Sequence, residues 1–233
     1  MIKVYGNNMR LLVIADIHGN LEKLKEVLEK TRKEAFDVVI CPGDFTDMYT
    51  IPTEFSQLDV GTLILQKILT LKKPTLCVPG NHDPYEILDV FNDYNVNLHS
   101  KIKKIKNTTF VGWGGAPTPF DTIFEPSDEE TKENLTKLGK KLTPQNFVLV
   151  VHEPPKNTKL DIIRSGKHVG SPVIKEFIIE KQPTITITAH IHESPGLDNI
   201  NKSPVFYPGP VFEGCYGIVE IKGKKTTCET KKI

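Results

Sequence analysis

Short apolar runs alternate along the chain with segments in which apolar residues recur at helical spacing. The runs cover residues 11–15, 38–41, 75–78, 147–151 and 184–189. Runs of this length are typical of strands that are buried on both faces. After the first run, Asn20 is predicted to cap a helix that places Leu21, Leu24, Val27 and Leu28 on one face. Strands that alternate with helices predict an α/β fold whose main sheet is largely parallel.

Capping and turn signals predict the remaining elements. These are a helix over 60–71, a hairpin over 101–112, a surface loop over 112–126, a helix from the Ser127–Glu130 capping box to about 141, and a helix after Ser171-Pro172 with Val173, Ile174, Phe177 and Ile178 inward. From residue 196 onward, turn residues punctuate short strands, which predicts antiparallel hairpins and a second sheet packed on the first. The predicted architecture is a two-sheet αββα sandwich with a mixed, largely parallel first sheet and C-terminal antiparallel hairpins, in a single domain over 1–233.

Composition narrows the class of partner. Lys plus Arg number 30 and Asp plus Glu 29, so the net charge of +1 offers no broad footprint for nucleic acid or an anionic membrane. No apolar run approaches the roughly 18 residues that span a bilayer. The four cysteines show no CxxC spacing, which is typical of buried reduced thiols. We expect a soluble, cytoplasmic protein with no membrane partner, for which nucleic acid is a poor candidate; exposed hairpin edges could pair in a homodimer.

Polar residues with metal-binding side chains follow the apolar runs. They are Asp16 and His18, then Asp44, then Asn81, His82 and Asp83, then His152, and finally His190 and His192. Because the carboxyl ends of parallel strands meet at one edge of a sheet, we expect one shared site. Carboxylate, carboxamide and imidazole donors without thiolate suit Mn, Fe, Zn, Co or Ni and argue against a structural cysteine-type zinc site.

Spacing within the clusters suggests how a metal pair could be held. On an extended chain, the i, i+2 spacing of His190 and His192 sends both imidazoles to one side, so that each could serve one of two metals. Asp44 lies at a tight glycine turn and has two oxygens with which to bridge the pair. Its neighbour Asp47 is a candidate for orienting a nearby group rather than a ligand.

In order and spacing, these clusters resemble the motifs of the calcineurin-like metallophosphoesterase superfamily: DxH, GDxxD, GNH[DE], a lone His and GHxH. The resemblance implies that one metal is held by Asp16, His18 and His192, the other by Asn81, His152 and His190, with Asp44 bridging. It further implies that His82 is the acid-base histidine, steered by Asp83. Ala189 stands where the family usually has Gly, which is acceptable if its φ is negative. Segments 165–171, 190–193 and 208–210 resemble a compact, mainly prokaryotic branch of predicted phosphoesterases.

The resemblance implies a metal-dependent phosphoesterase that acts on a small phosphodiester or phosphomonoester. A hydroxide bridging two divalent ions would attack phosphorus while His82 protonates the leaving group. The alternatives are a non-catalytic metal-binding scaffold with the same fold, a nuclease and a protein phosphatase. The presence of His82 argues against the scaffold, and Met48-Tyr49 stand where protein phosphatases carry an Arg. The chain also lacks the spare length and positive charge typical of the nucleases.

Three residues outside the motifs have both a functional and a structural interpretation. Lys167 and His168 could touch a substrate phosphate, and Trp113 could stack on a nucleobase. Lys167 and His168 are also explained as loop residues ahead of a capped helix, and Trp113 as a side chain that fills a gap in the core. We prefer these structural roles.

Overall fold

The computed structural model describes residues 8–144, 146–223 and 225–233. The elements are β1 (Asn8–Val13), α1 (Leu21–Thr31), β2 (Val38–Cys41), α2 (Gln57–Leu69), β3 (Thr75–Cys77), α3 (Ile87–Asp93), β4 (Lys101–Ile105), β5 (Thr108–Trp113), α4 (Asp128–Gly139), β6 (Phe147–Val151), α5 (Pro172–Lys181), β7 (Ile185–Ile187), β8 (Gly196–Ile200), β9 (Ser203–Tyr207), a 3₁₀ helix (Val211–Glu213), β10 (Cys215–Lys222) and β11 (Lys225–Lys232). Within these ranges, every helix is too short or too polar to cross a bilayer.

The strands form two mixed sheets. The first has the order β11-β10-β1-β2-β3, in which β1, β2 and β3 are parallel and the β10–β11 hairpin is antiparallel to β1. The second has the order β4-β5-β6-β7-β9-β8, with parallel pairing from β5 through β9 and an antiparallel hairpin at each edge. The predicted α/β fold with two sheets and C-terminal hairpins is confirmed.

Three apolar cores explain why the strands are uninterrupted apolar runs. Alternate residues of β1 point to opposite faces: Leu11 and Val13 pack between the two sheets, whereas Leu12, like Ile14 just after the strand, packs under the helices of the first sheet. Helices α1, α2 and α3 cover the outer face of the first sheet. Helices α4 and α5 cover the outer face of the second. The central strands β2, β6 and β7 are therefore buried along their whole length.

Some elements differ from their predicted form. Helix α2 begins before residue 60, because Ser56 and Asp59 form a capping box. The seven-residue helix α3 was not predicted; it has no side-chain cap, and its signal is too short to recognise. In α5, Ile174, Phe177 and Ile178 are buried, whereas Val173 is only partly so. The two C-terminal hairpins do not build a sheet of their own, since β8–β9 extends the second sheet and β10–β11 the first.

Candidate metal centre

The loops that follow five parallel strands meet at one edge of the sandwich. They bring together every residue predicted for the site: Asp16 and His18 after β1, Asp44 after β2, Asn81, His82 and Asp83 after β3, His152 after β6, and His190 and His192 after β7. The β1 loop is tied to the β2 loop, because the backbone amides of Ile17 and His18 donate to the Asp44 carbonyl at 2.8 and 3.0 Å. The site is therefore built on the ends of rigid strands.

A first group of donors consists of Asp16, His18, Asp44 and His192, whose ligand atoms all lie within 4.8 Å of one another. The Nε2 atoms of His18 and His192 are 3.2 Å apart. His18 Nε2 lies 3.3 Å from Asp44 Oδ2, and His192 Nε2 lies 3.8 Å from Asp16 Oδ1. Two imidazole nitrogens and two carboxylates thus converge on one point.

A second group consists of Asp44, His152 and His190, again within 4.8 Å of one another. His152 Nε2 lies 3.3 Å from Asp44 Oδ2 and 3.0 Å from Asn81 Oδ1. Its other nitrogen, Nδ1, lies 2.8 Å from the Pro42 carbonyl, which accepts a hydrogen bond from it and so leaves the Nε2 lone pair for the site. Asp44 Oδ2 is shared by both groups, since it lies 3.3 Å from a histidine Nε2 of each.

The donor set fits divalent cations. Asp16, Asp44 and His152 are fully buried, and a buried charge is costly unless it is paired. Asp16 Oδ2 is buried without a hydrogen-bond partner in the part of the chain that the structure describes. The other oxygen of this carboxylate, Oδ1, lies 3.8 Å from His192 Nε2, and a cation bound at Asp16 would satisfy the orphaned oxygen. All donors are oxygen or nitrogen atoms, as in sites for Mn, Fe, Zn, Co or Ni.

The charges of the site depend on one another. Burial raises the pKa of Asp44, but His152 and His18 outweigh it and hold that pKa well below its usual value. Burial likewise disfavours the charged forms of the two histidines, yet the adjacent Asp44 carboxylate raises their pKa to about 9. For His190, burial dominates and lowers the pKa to about 3.

The backbone at the site is strained. Asp16, His18, Asp44 and His190 have positive φ angles of 50°, 47°, 53° and 78°. Such conformations in non-glycine residues cost about 1–3 kcal/mol each and cluster at functional sites. The positive φ of His190 also departs from the extended chain expected over 190–192, and the two imidazoles enter different donor groups. Ala189 is not among the described residues with positive φ, so alanine fills this position without strain.

His82 lies at the rim of the first donor group, with its ring centroid 4.8 Å from that of His18. The carboxylate beside its Nδ1 belongs to Asp47, at 3.5 Å, and not to Asp83 as predicted. Asp83 is buried, and its oxygens accept backbone hydrogen bonds from Gly80, Phe45 and Thr46 at 2.8 to 3.2 Å. Its role in the structure is to join the β2 and β3 loops. Asp47, and not Asp83, is therefore the carboxylate beside the His82 ring.

The loop over 112–126 supports Asn81, a role that the sequence did not reveal. The Asn81 carbonyl accepts from the backbone amides of Ile123 and Phe124, both at 3.0 Å. The Asn81 side-chain Nδ2 donates to Thr122 Oγ1 at 3.1 Å, and Thr122 Oγ1 in turn donates to Glu125. This chain of donors orients the carboxamide so that its oxygen faces His152. The lack of periodicity in the loop sequence indicates only that the segment is irregular. It does not predict that the loop contacts Asn81.

A further buried side chain lies beside the first donor group. Burial, together with the neighbouring Asp16 carboxylate, raises the pKa of Tyr207 well above its usual value, so its hydroxyl stays neutral. Tyr207 ends β9, which pairs with β7 in the second sheet. Its position depends on this long-range pairing, so no local signal could have identified it.

The three residues outside the motifs have structural contacts. Trp113 is buried, stacks on His99 with centroids 4.5 Å apart, and donates from Nε1 to Thr131 at 3.1 Å. His168 Nδ1 lies 2.7 Å from the buried Asp161 carboxylate in its own loop. Lys167 is exposed. The structural interpretation of Trp113 and His168 is the better supported one.

Comparison with known proteins agrees with this geometry. The model of the family described as calcineurin-like phosphoesterase matches residues 9–194. An uncharacterised protein of Methanocaldococcus jannaschii is 36% identical over 209 residues, which cover 87% of this chain and 88% of that protein. A solved structure from Thermus thermophilus has a TM-score of 0.72 at 19% identity, over 97% of this chain and 99% of that chain. The structure of an archaeal phosphodiesterase has a TM-score of 0.50 at 14% identity, over 96% of this chain and 100% of that chain.

The two kinds of likeness support different conclusions. At these low identities the solved structures show a shared fold, whereas the family match extends over most of the chain and includes every residue of both donor groups. The M. jannaschii relative has nearly the same extent, as expected for the compact, mainly prokaryotic branch. The chain therefore belongs to the calcineurin-like phosphoesterase family.

Proposed function

We propose that this metal-dependent phosphoesterase uses a dinuclear centre to hydrolyse a small phosphate ester, with His82 as the general acid. The observation that carries the proposal is the position of Asp44 Oδ2, which lies 3.3 Å from histidines of two separate donor groups. A carboxylate oxygen shared in this way is suited to bridge two ions.

Each ion would have its own protein ligands. Asp16, His18 and His192 would hold one, whereas Asn81, His152 and His190 would hold the other, with Asp44 between them. When bound, two divalent cations such as Mn, Fe, Zn, Co or Ni would supply Lewis acidity and neutralise charge on the phosphoryl oxygens. The oxygen and nitrogen donors of the site suit all of these metals.

The chain's own residues would handle the proton of the leaving group. Burial lowers the pKa of His82, which makes its imidazolium a stronger proton donor. Asp47 lies beside Nδ1 of His82, so Nε2 is the atom that would give a proton to the departing oxygen. Gln57 and the loop joined by Asp83 hold the backbone of His82, since Gln57 Nε2 donates to its carbonyl. These contacts would keep the ring at the rim of the centre.

The size and charge of the protein support a small substrate. The cavity next to the donor groups has a volume of about 400 Å³, and the net charge is +1. Such a site suits a small ester better than a nucleic acid or a protein surface. The buried, unpaired thiols of Cys41, Cys77 and Cys215 are in keeping with the cytoplasm as the compartment.

The test is hydrolysis by metal-reconstituted protein. We expect about two Mn²⁺ ions per chain by elemental analysis and turnover of bis(p-nitrophenyl) phosphate. General acid catalysis contributes about 10²- to 10⁴-fold, so His82→Ala should lower turnover of an alkyl ester by that order while metal content is kept. Two bound metals without turnover of any ester would favour the non-catalytic scaffold. Unchanged turnover of the alkyl ester by His82→Ala would remove His82 from the mechanism.

A further inference from the structure

The cavity beside the donor groups has aromatic walls. Its volume is about 400 Å³, and it is lined by His18, Asn20, Asp47, Tyr49, His82, His192 and Phe212. Tyr49 belongs to the loop after β2, and Phe212 belongs to the 3₁₀ helix after β9. Neither residue is part of a metal-binding motif. Tyr49 is 64% exposed although it is large and mostly apolar, so its ring is free to contact a ligand.

The rings at the cavity form a row. Tyr49 contacts His82 edge to face, with centroids 5.7 Å apart, and His82 contacts His18 at 4.8 Å. At the other end, Phe212 contacts His18 at 5.6 Å and His192 at 5.0 Å. The donor group formed with His18 therefore lies between the two aromatic side chains. Tyr49 is on the side of the general acid, and Phe212 is on the opposite side.

One carboxylate positions both His82 and the turn that carries Tyr49. Asp47 Oδ1 accepts a hydrogen bond from the Tyr49 backbone amide at 2.9 Å and lies 3.5 Å from His82 Nδ1. Asp47 Oδ2 accepts from the Thr50 hydroxyl at 2.9 Å. The loop thus places Tyr49 at a defined distance from the proton donor, beside the oxygen that would leave.

The charge of the cavity indicates the type of ester. Within the described part of the chain, its lining contains one carboxylate, Asp47, and neither lysine nor arginine. Apart from the proposed metal ions, this lining therefore offers no lysine or arginine to pair the second negative charge that a phosphomonoester carries near neutral pH, whereas a phosphodiester carries one charge. The rings of Tyr49 and Phe212, which both line the cavity, offer contact area to two organic groups.

We propose that Tyr49 and Phe212 are two ring-binding subsites, and that the substrate is a phosphodiester whose leaving group carries a planar ring, as a nucleoside or an aryl alcohol does. Tyr49 stacks on the leaving group, since His82 protonates that group, and Phe212 contacts the group that stays on phosphorus. This assignment rests on the proposed hydrolysis of a small phosphate ester at the same centre.

The experiment compares two diesters that release the same product. Methyl p-nitrophenyl phosphate has a ring only in its leaving group, whereas bis(p-nitrophenyl) phosphate has a second ring on the retained side. With Mn²⁺-loaded protein, Tyr49→Ala should lower kcat/KM about tenfold for both esters, and Tyr49→Phe should restore it. Phe212→Ala should lower kcat/KM for the second ester alone. Phe120→Ala is the matched control, because Phe120 is 72% exposed and does not line the cavity.

The choice of ester separates ring binding from an indirect effect on His82. Because p-nitrophenolate leaves readily without a proton, His82→Ala should change these rates much less than Tyr49→Ala does. Values of kcat/KM for Tyr49→Ala within twofold of the wild type on both esters would overturn the assignment of Tyr49, as would an equal loss in Phe120→Ala. Absence of hydrolysis by the wild-type protein with two bound metals would instead overturn the proposed function on which the assignment rests.

Discussion

Replacing Thr122 by valine would test how the second metal ligand set is oriented. Valine has nearly the shape of threonine but lacks the Oγ1 atom, which accepts from Asn81 Nδ2 at 3.1 Å and donates to Glu125. Asn81 is 1% exposed, so its amide group cannot turn to bulk water for a new partner. The carboxamide would then lose the contact that keeps its oxygen, and not its nitrogen, directed at His152.

The size of the effect follows from this one contact. Leaving a buried polar group unsatisfied costs about 1–3 kcal/mol, and losing a partner of a metal ligand typically weakens metal affinity about 10- to 100-fold. We expect a loss in this range for the ion that we propose is held by Asn81, His152 and His190. The ion proposed at Asp16, His18 and His192 should keep its affinity, because Thr122 contacts none of these ligands in the described structure.

Isothermal titration calorimetry of metal-free protein with Mn²⁺ would resolve the two binding events. Thr118→Val is the control, since Thr118 also donates to Glu125, at 2.6 Å, but is not the acceptor for the Asn81 amide. Retention of both affinities within twofold in Thr122→Val would refute the orienting role. An equal weakening of both ions would also refute it, because that result indicates a general disturbance of the loop.

Two further predictions concern the packing around the site. In Gly80→Ala, the added methyl group would lie against the Asp44 carboxylate and backbone nitrogen. We therefore expect the free energy of unfolding, measured in urea, to fall by about 1–3 kcal/mol, and metal binding to be lost. In Gly166→Ala the added atom meets nothing within 4 Å, but φ is +79°, so this variant should lose some stability through backbone strain and still bind metals as the wild type does. Normal metal binding by Gly80→Ala would contradict the packing argument. Asp161 is buried, which raises its pKa, but His168 and the backbone amides of Thr158, Gly170 and Asn157 lower it below the ordinary 3.8. Ionised Asp161 therefore stabilises the fold above pH 3.8, and this stabilisation is lost as the pH falls through the lowered pKa. Asp161→Asn should be about 1–3 kcal/mol less stable than the wild type at pH 7, with a smaller difference below about pH 4; an equal difference at both pH values would show that charge is not involved.

Local sequence was enough to predict which loops meet at the candidate metal centre. Asp16, Asp44 and His152 are far apart along the chain, but each follows an apolar run of the kind that forms a buried parallel strand. Because such strands end at a common edge, their following loops converge whatever the details of packing. The fold class followed from the same alternation of strands and helices.

The contacts between these loops were decided by tertiary structure. Adjacent residues in a tight turn point in different directions, so the sequence could not show that Asp47, and not Asp83, lies beside His82. Likewise, Thr122 supports Asn81 from 41 positions away in a segment without periodicity. Such contacts depend on how separate loops fold over one another.

The C-terminal hairpins also show which features local sequence predicts and which features long-range contacts decide. Turn residues predict that two hairpins form, since a hairpin is a local structure. Which sheet each hairpin joins depends on the strand edge left open by the rest of the fold: β10 pairs with β1, with Val219 opposite Leu11, whereas β9 pairs with β7. Local patterns therefore determined the elements and the polar residues at their ends, and long-range pairing determined their partners, because the energy of pairing depends on residues that are distant in sequence.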